Sequence, residues 1–375
     1  MQTPKVSFVV PCYNLAHFLE ECVTSILAQH YENIEIIVLD DQSPDNTKDV
    51  AEALIAAHPH RRICYIRNAA NLGNIRNYNK GISLTTGTYV WIISPDDRLR
   101  SEHVVEKYVQ LMEAKPEVGF TFCPAHKIDD DKDMGVLKES RYRTADEILE
   151  GRQIVKGILD GMSLLAPSVM IRKACYESLT LFPEDMPHRG DSYVWARIAL
   201  ECKVGYFAEA MVDYRVHGGS MMSTLSRENL ARIIEDDIAV PWRVKAMAEE
   251  RKVAEIVDYS NKAIAGAYAY LMSSRHACRG SRYVLTVEAF EASVSKWTAD
   301  PAVRSRIRSE TATELYWRGV LDVCRGQFHR ARHAFRASFL LCARLRVFPP
   351  ARLLTKFGKR VGVVLADMNA RLHAG

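Results

Sequence analysis

Two pairs of adjacent carboxylates follow apolar runs: Asp40-Asp41 after Ile34-Glu-Ile-Ile-Val-Leu39, and Asp96-Asp97 after Tyr89-Val-Trp-Ile-Ile-Ser-Pro95. Paired acids in a loop can hold a hard divalent cation through their oxygens and leave its open positions to a diphosphate. The same pairs also suit a solvated turn closed by an Asx hydrogen bond, so what matters is which elements aim them. A further acid, Asp191, comes after Pro187-His-Arg-Gly190 and heads a helical pattern through Tyr193, Val194, Arg197 and Ile198. That is the place of a helix N-cap or of a general base. His217 closes Tyr214-Arg215-Val-His217, where a histidine serves as a structural hydrogen-bonder or as a ligand.

The elements around these residues read as alternating strands and helices. Residues 89–93 are short, apolar and rich in β-branched and aromatic side chains, and Ser94-Pro95 breaks them, so the acids lie on a loop at a strand's end. Val6 to Pro11, Ile34 to Leu39 and Ile63 to Arg67 give three more strands, separated by helical patterns through Phe18 to Leu27, from Thr47, and through Arg76 to Lys80. The order βαβαβαβ with right-handed crossovers predicts a mainly parallel sheet, which binds ligands beyond the carboxyl ends of its strands. No Gly-x-Gly-x-x-Gly and no Gly-x-x-x-x-Gly-Lys-Ser/Thr opens any of the helices, which tells against dinucleotide oxidoreductases and P-loop NTPases.

Six stretches recur in a known order: Val9-Val-Pro11-Cys-Tyr13-Asn14, Val38-Leu-Asp40-Asp41-Gln-Ser43, Asn71-Leu-Gly73-Asn-Ile-Arg76-Asn77, Ser94-Pro-Asp96-Asp97, Gly190-Asp191-Ser-Tyr-Val-Trp195-Ala-Arg197 and Tyr214-Arg215-Val-His217-Gly-Gly-Ser220. Together they cover roughly residues 4–225, and the series resembles the family-2 glycosyltransferases of the GT-A fold. The resemblance implies a Rossmann-like mixed sheet flanked by helices, and transfer of a sugar from a nucleotide diphosphate sugar to an acceptor hydroxyl with inversion. It implies that Pro11 and Tyr13 line the nucleotide, Tyr13 offering its ring to the base, while Asp41 accepts the base's ring N–H. A donor at N3 belongs to uracil and thymine, so UDP or dTDP is expected. The other reading of Asp41 is a cap on the turn before the helix at Thr47, with Asp40 sharing both jobs.

Arg76 would meet the diphosphate with its planar fork, or remain a solvated surface arginine. Asp96 would face the ribose or a metal, Asp97 would ligate that metal directly, and His217 would add a further ligand. Carboxylate, imidazole and phosphate donors suit manganese or magnesium better than zinc. Asp191 would take the acceptor's proton. Many family members carry Glu-Asp here, whereas this chain has Gly190-Asp191, so no helper acid precedes the base. Trp195 and Arg197, on the same helix, would line the acceptor site or, for Trp195, the core.

Charge divides the chain. Residues 1–230 hold 25 Lys/Arg and 32 Asp/Glu, net −7, and residues 231–375 hold 25 and 14, net +11, which together give the +4 of the whole. A catalytic domain over 1–225 and an all-α domain over 226–375 are expected, the latter with Trp297, Trp317 and Phe335 as anchors. Leu315 to Pro349 resembles one tetratricopeptide-type helix pair. Arg325 to Arg360 carries ten Lys/Arg and no acid, interleaved with Phe and Leu, which suits an anionic membrane surface or a basic outer face over a helical core; no nucleic-acid motif accompanies it.

Asp129 to Asp133 lacks the spacing of a cation loop and reads as a hairpin tip. The nine cysteines contain no Cys-x-x-Cys and read as buried, reduced thiols, Cys22, Cys123, Cys202 and Cys342 among them. With no apolar run near 18 residues and no signal-peptide pattern, a cytoplasmic enzyme is expected, at most peripheral at the inner membrane face. The Gln-x-x-Arg-Trp motif of processive synthases is absent, so one sugar per encounter is expected, onto a glycan or lipid-linked acceptor. Two other classes compete: a nucleotidyltransferase, which should carry a Gly-rich basic loop after its first strand, and a noncatalytic nucleotide-binding scaffold using the helical domain.

Overall fold

Strands β1 (Val6–Cys12), β2 (Ile34–Asp40), β3 (Arg62–Arg67) and β4 (Tyr89–Ile92) alternate with helices α1 (Ala16–Leu27), α2 (Thr47–Ala57) and α3 (Asn74–Leu84). This is a computed structural model, and it describes residues 3–129, 132–179, 181–217, 230–273, 276–278, 281–283 and 285–342. The chain divides into two units, one ending at Ile256 and one beginning at Val257.

In the first unit the chain continues through β5 (Arg98–Leu99), α4 (Val104–Ala114), β6 (Val118–Phe122), β7 (Ala125–Asp129), β8 (Lys132–Val136), β9 (Glu147–Leu149), α5 (Gly151–Leu159), β10 (Met170–Arg172), α6 (Lys173–Ser178), α7 (Gly190–Ala199), β11 (Lys203–Tyr206), β12 (Val212–Arg215) and α8 (Leu230–Glu250). The main sheet has the order β3-β2-β1-β4-β10-β6-β11-β9. β1 to β4 pair in parallel, and β10 enters antiparallel between β4 and β6. The expected mixed, mainly parallel sheet is thus present. A second sheet of order β5-β12-β7-β8 lies beyond the acids of β4.

β1 is buried along its whole length, as a central strand with helices on both faces must be. It runs through Pro11 to Cys12 instead of stopping at the proline. The β4 ladder ends where Ile93 N–H donates to Val9 O, so the N–H that Pro11 lacks falls where no partner strand remains. Behind β4, Phe8, Trp91, Tyr108 and Phe207 stack in sequence with ring centroids 5.4, 4.7 and 5.2 Å apart. Trp91 Nε1 donates to Pro167 O at 2.7 Å and Tyr108 Oη to Ser168 O at 3.0 Å, so the buried polar tips are satisfied. This pillar gives the β4 loop a rigid floor.

The boundary expected at residue 225 lies outside the described residues, and α8, the next described element, belongs to the first unit. The second unit holds the rest of α9 (Ala254–Ser273), a short hairpin of β13 (His276–Cys278) and β14 (Ser281–Tyr283), and helices α10 (Val287–Trp297), α11 (Pro301–Cys324) and α12 (Phe328–Leu341). The hairpin departs from the all-α expectation; three residues a strand is too short to print an alternating pattern. α11 and α12 form the expected pair. They turn at Gly326, whose φ of +70° suits glycine, and meet so closely that a Cβ on Gly319 would lie 2.8 Å from the Phe335 ring. The anchors differ from expectation: Tyr268, Phe290, Ile307 and Leu315 are fully buried, whereas Trp297, Trp317 and Phe335 are only half-buried.

Smaller expectations divide. β7 and β8 pair as the expected hairpin, with Asp130 and Asp131 outside the described residues. Cys22 and Cys123 are buried, but Cys202 and Cys342 are half-buried, and Cys64 and Cys324 are exposed, so the uniform reading of buried thiols does not hold. Residues 343–360 of the basic segment lie outside the described residues. No helix among the described residues is long and apolar enough to cross a membrane.

Candidate active site

Asp96 and Asp97 sit on the turn after β4, where Asp97 N–H donates to Ser94 O at 3.0 Å. Asp97 is buried, and its Oδ1 accepts the Arg215 backbone N–H at 3.0 Å. The Arg215 side chain lies under the turn: Nε donates to Asp96 O at 3.0 Å, Nη2 to Glu21 Oε2 at 2.6 Å, and the guanidinium covers the Phe18 ring at 4.8 Å. Below it Asp213 joins Arg98 and Arg100, at 2.6 and 2.5 Å. Burial and the neighbouring Asp96 push the Asp97 carboxyl well above its ordinary range, against the opposing pull of Arg215. Asp96 Oδ2 lies 3.0 Å from His217 Nε2, while its Oδ1 is buried without a hydrogen-bond partner.

That orphaned oxygen beside a buried second carboxylate is what a divalent cation would neutralise, so Asp96 and Asp97 fit the metal implied by the resemblance. Among the described residues no group of three His, Cys, Asp or Glu side chains converges, so oxygens of a bound diphosphate would have to supply much of the shell. His217, expected as a further ligand, addresses Asp96 through Nε2.

Asp191 faces the same region from the other side. A cavity of about 90 Å³ lies at the ends of β1 and β4, and Pro11, Tyr78, Asp97, His188, Asp191 and Trp195 are among its walls. Asp191 occupies the second position of α7, two residues past the cap position where a capping side chain would act, and its Oδ1 accepts Ser192 N–H at 2.5 Å. The cap position belongs to Arg189, whose side chain does not cap. Burial raises the Asp191 pKa, opposed by Arg189, the Ser192 N–H and His188. A carboxylate whose pKa is raised in a cleft is a stronger base than a solvated one. Trp195 is both buried and part of the wall, and Arg197 pairs with Glu201 at 3.4 Å.

The donor-side residues spread along the neighbouring strand ends. Tyr13 is 52 % exposed, leaving a ring face open beyond β1. Asn14 and Gln42 hold φ of 56° and 62°, a left-handed conformation that costs free energy outside glycine. Asp41 does not cap α2. Its Oδ1 accepts Asn68 Nδ2 at 2.7 Å and Leu72 N–H at 2.8 Å, and its Oδ2 accepts Gly73 N–H at 2.9 Å. Gly73, at φ +79°, then opens α3. The cap on α2 comes from Asp45, which also accepts Ala16 N–H at the start of α1, while Asp40 takes Ser43 N–H, Tyr65 Oη and Arg67 Nη1. Arg76 is exposed and pairs with Glu184 at 2.8 Å. The cavity thus gathers Pro11, Asp97 and Asp191; His217 joins Asp96; Tyr13, Asp41 and Arg76 stand apart from it.

Sequence reasoning missed Arg215, Glu21 and Asp236. Arg215 stands inside a quoted motif, and its burial beneath two acids could have been suspected from that position alone. Glu21 and Asp236 look like ordinary surface acids of amphipathic helices, with no local signal.

Comparison with known proteins bears on the family and the fold. Residues 7–171 match the model of Glycosyl transferase family 2. An uncharacterized glycosyltransferase of Haemophilus influenzae is 31 % identical over 232 residues, which cover 60 % of this chain and 69 % of that one. GlyG, a glycosyltransferase of Streptococcus pneumoniae, is 35 % identical over 113 residues, 30 % of this chain and 37 % of that one. The S. aureus TarS 1–349 structure in complex with UDP-GlcNAc aligns with a TM-score of 0.55 over 89 % of each chain at 16 % identity, a likeness of fold. The family match over residues 7–171 and the Haemophilus influenzae relative, 31 % identical over 69 % of its length, make this chain a member of glycosyltransferase family 2.

Proposed function

We propose that the protein is a metal-dependent, inverting glycosyltransferase that moves a sugar from a UDP- or dTDP-linked donor to an acceptor hydroxyl in surface polysaccharide or glycolipid synthesis. The observation that carries this reading is the single cavity walled by both Asp97 and Asp191, acids from β4 and α7 with no sequence proximity. In this reading the acceptor oxygen attacks the anomeric carbon, the bond from that carbon to the phosphate oxygen breaks, and the acceptor proton passes to the Asp191 carboxylate. Attack from the face opposite the departing phosphate inverts the centre. A positioned base of this kind contributes about 10²–10⁴-fold in rate.

Asp96 and Asp97 would hold manganese or magnesium, with His217 joining once its Nε2 turns from Asp96. The cation would act as a Lewis acid on the departing diphosphate. Pro11 and Tyr13 would line the base, Asp41 would meet it through the lone pairs its loop bonds leave, and Arg76 would reach the phosphates by leaving Glu184. The UDP-GlcNAc complex of TarS supports a uridine donor. The described part of the basic segment exposes Phe328, Phe339 and Leu340 among arginines, which supports an anionic membrane surface as the place where a lipid-linked acceptor is met.

The test is a panel of nucleotide sugars with manganese, scoring nucleoside diphosphate release by wild type, Asp97→Ala and Asp191→Ala. One donor turned over slowly by wild type and by neither variant is the expected result. Turnover that survives in both variants would sink the assignment of metal and base.

A further inference from the structure

We infer that Asp236, on α8, is a positioning residue that sets the reactive placement of Asp191; the inference rests on the reading of Asp191 as the base. Asp236 is 1 % exposed, and a single oxygen, Oδ2, accepts two successive backbone amides, His188 N–H at 2.8 Å and Arg189 N–H at 3.2 Å. Those amides immediately precede α7, whose second residue is Asp191. The first amides of a helix and of the turn leading into it have no partner within the helix, and here a carboxylate from another helix supplies one.

Three more side chains of α8 hold the same segment. Arg232 donates to Asp185 O, Arg243 pairs with the Asp185 carboxylate, and Asp237 lies 3.5 Å from Arg189 Nη1. Arg232 Nε is also 3.6 Å from Asp236 Oδ1, so the buried acid has a cation beside it on its own helix. The segment before the base belongs to no strand; α8 holds it together with α3, whose Asn74 Nδ2 donates to Pro187 O at 3.1 Å and whose Asn79 pairs with the Phe182 backbone. The family match ends at residue 171, so this clamp lies wholly outside it.

His188 joins the clamp to the cavity. Its backbone N–H is held by Asp236 while its side chain is part of the cavity wall beside Asp191. A shift of the two amides therefore moves His188 and Asp191, two of the residues that the cavity takes from this turn. Placement errors on the scale of 1 Å can cost about 10²-fold in rate, which is why a residue that touches no substrate can still govern turnover.

The experiment uses the full chain and nucleoside diphosphate release from the donor that turns over in the panel, with manganese. Asp236→Ala, Asp236→Asn, Asp191→Asn and the Asp191→Asn/Asp236→Ala double variant are compared for kcat, donor KM and calorimetric UDP affinity. Asp236→Ala should lower kcat by about 10–100-fold with KM and UDP affinity within twofold, and Asp236→Asn, whose Oδ1 still accepts both amides, should recover most of the loss. The double variant should match Asp191→Asn alone, because Asp236 acts only through that base.

Losses that multiply in the double variant, wild-type kcat in Asp236→Ala, or a fall in UDP affinity equal to the fall in kcat would each overturn the proposal. Failure of the base reading has a different signature: Asp191→Asn alone would then turn over at the wild-type rate.

Discussion

On the donor side, β1, β2 and β4 run straight into Tyr13, Asp41 and Asp97, whereas on the base side the segment before Asp191 follows no strand and is gripped by α8. The first arrangement is local. Strand, turn and acid are contiguous, the parallel ladder fixes the register, and Asp40 and Asp41 are satisfied within a few residues or on the next strand end; Asp97 reaches further, to the Arg215 N–H. The second is assembled from afar: Asp236 reaches His188 across 48 positions, and Arg243 reaches Asp185 across 58. On the proposed reading the donor half leans on its own loops and on Arg215, and the base half is exposed to change in a distant helix.

The largest expected effect tests the base half directly. Asp191→Asn should cut kcat by about 10²–10⁴-fold while calorimetric UDP affinity stays put, since the donor-side loops are untouched. Because burial raises the Asp191 pKa against Arg189, Ser192 and His188, the base protonates at a higher pH than a solvated aspartate. The acid limb of wild-type kcat/KM should therefore fall above the ordinary carboxylate range near 4, and the Asn variant should show no such limb. An acid limb of wild type at about 4 would mean that a solvent-exposed acid does the work.

Arg215→Met should rank next, in stability. The guanidinium is buried between the Asp96 carbonyl and Glu21, and its charge offsets Asp97. Removing one partner from a buried charged set costs about 3–5 kcal/mol. In a unit of this size that should lower Tm by roughly 10 °C, read by thermal melting in metal-free buffer. A melt within a degree or two of wild type would show that Asp97 is not held charged by Arg215.

Asp97→Asn sharpens the same contrast in the opposite direction. The carboxamide still accepts the Arg215 N–H but removes the buried charge next to Asp96. The folded-state pKa of Asp97 stands above its unfolded value, so this site's contribution to stability is full at low pH and lost as pH rises through the folded value. The Asn variant should therefore be more stable by about 1–2 kcal/mol at neutral pH in chelator, with no gain below about pH 4. Added manganese should reverse the order by stabilising wild type alone. A variant that is both inactive and less stable in chelator would place Asp97 among purely structural acids.

How much could be read from the sequence follows from this difference in assembly. Tyr89 to Ile93 announced its strand through residue type, and Ser94-Pro95 announced where the acids would leave it; likewise the two helices about Gly326 announced themselves through their spacing. The roles of Asp40, Asp41 and Asp45 were harder. All three are acids after one strand, and only the fold shows that Asp45 caps the helix while Asp41 secures the Gly73 turn. Trp297 and Trp317 misled because a large ring suggests burial, yet their helices present them at a half-covered face. Asp236 carried no signal at all, since its partners are backbone amides, which every residue except proline possesses.

Arg76 gives the smallest expected effect and the finest test of the donor half. Its ion pair with Glu184 is exposed on both partners, so Arg76→Ala should change stability by less than about 1 kcal/mol. If the fork leaves Glu184 for the diphosphate, donor KM should rise by about tenfold with kcat little changed, because a charge-assisted bond made equally in the ground and transition states weakens binding alone. Glu184→Gln then separates the two roles. Freed from its carboxylate, Arg76 should bind the donor more tightly and lower KM, whereas an arginine that serves only the surface pair would leave KM unmoved in both variants. The second outcome would assign phosphate charge on the donor side to the cation held by Asp96 and Asp97, and so make the donor half depend on its metal more heavily than its local construction suggests.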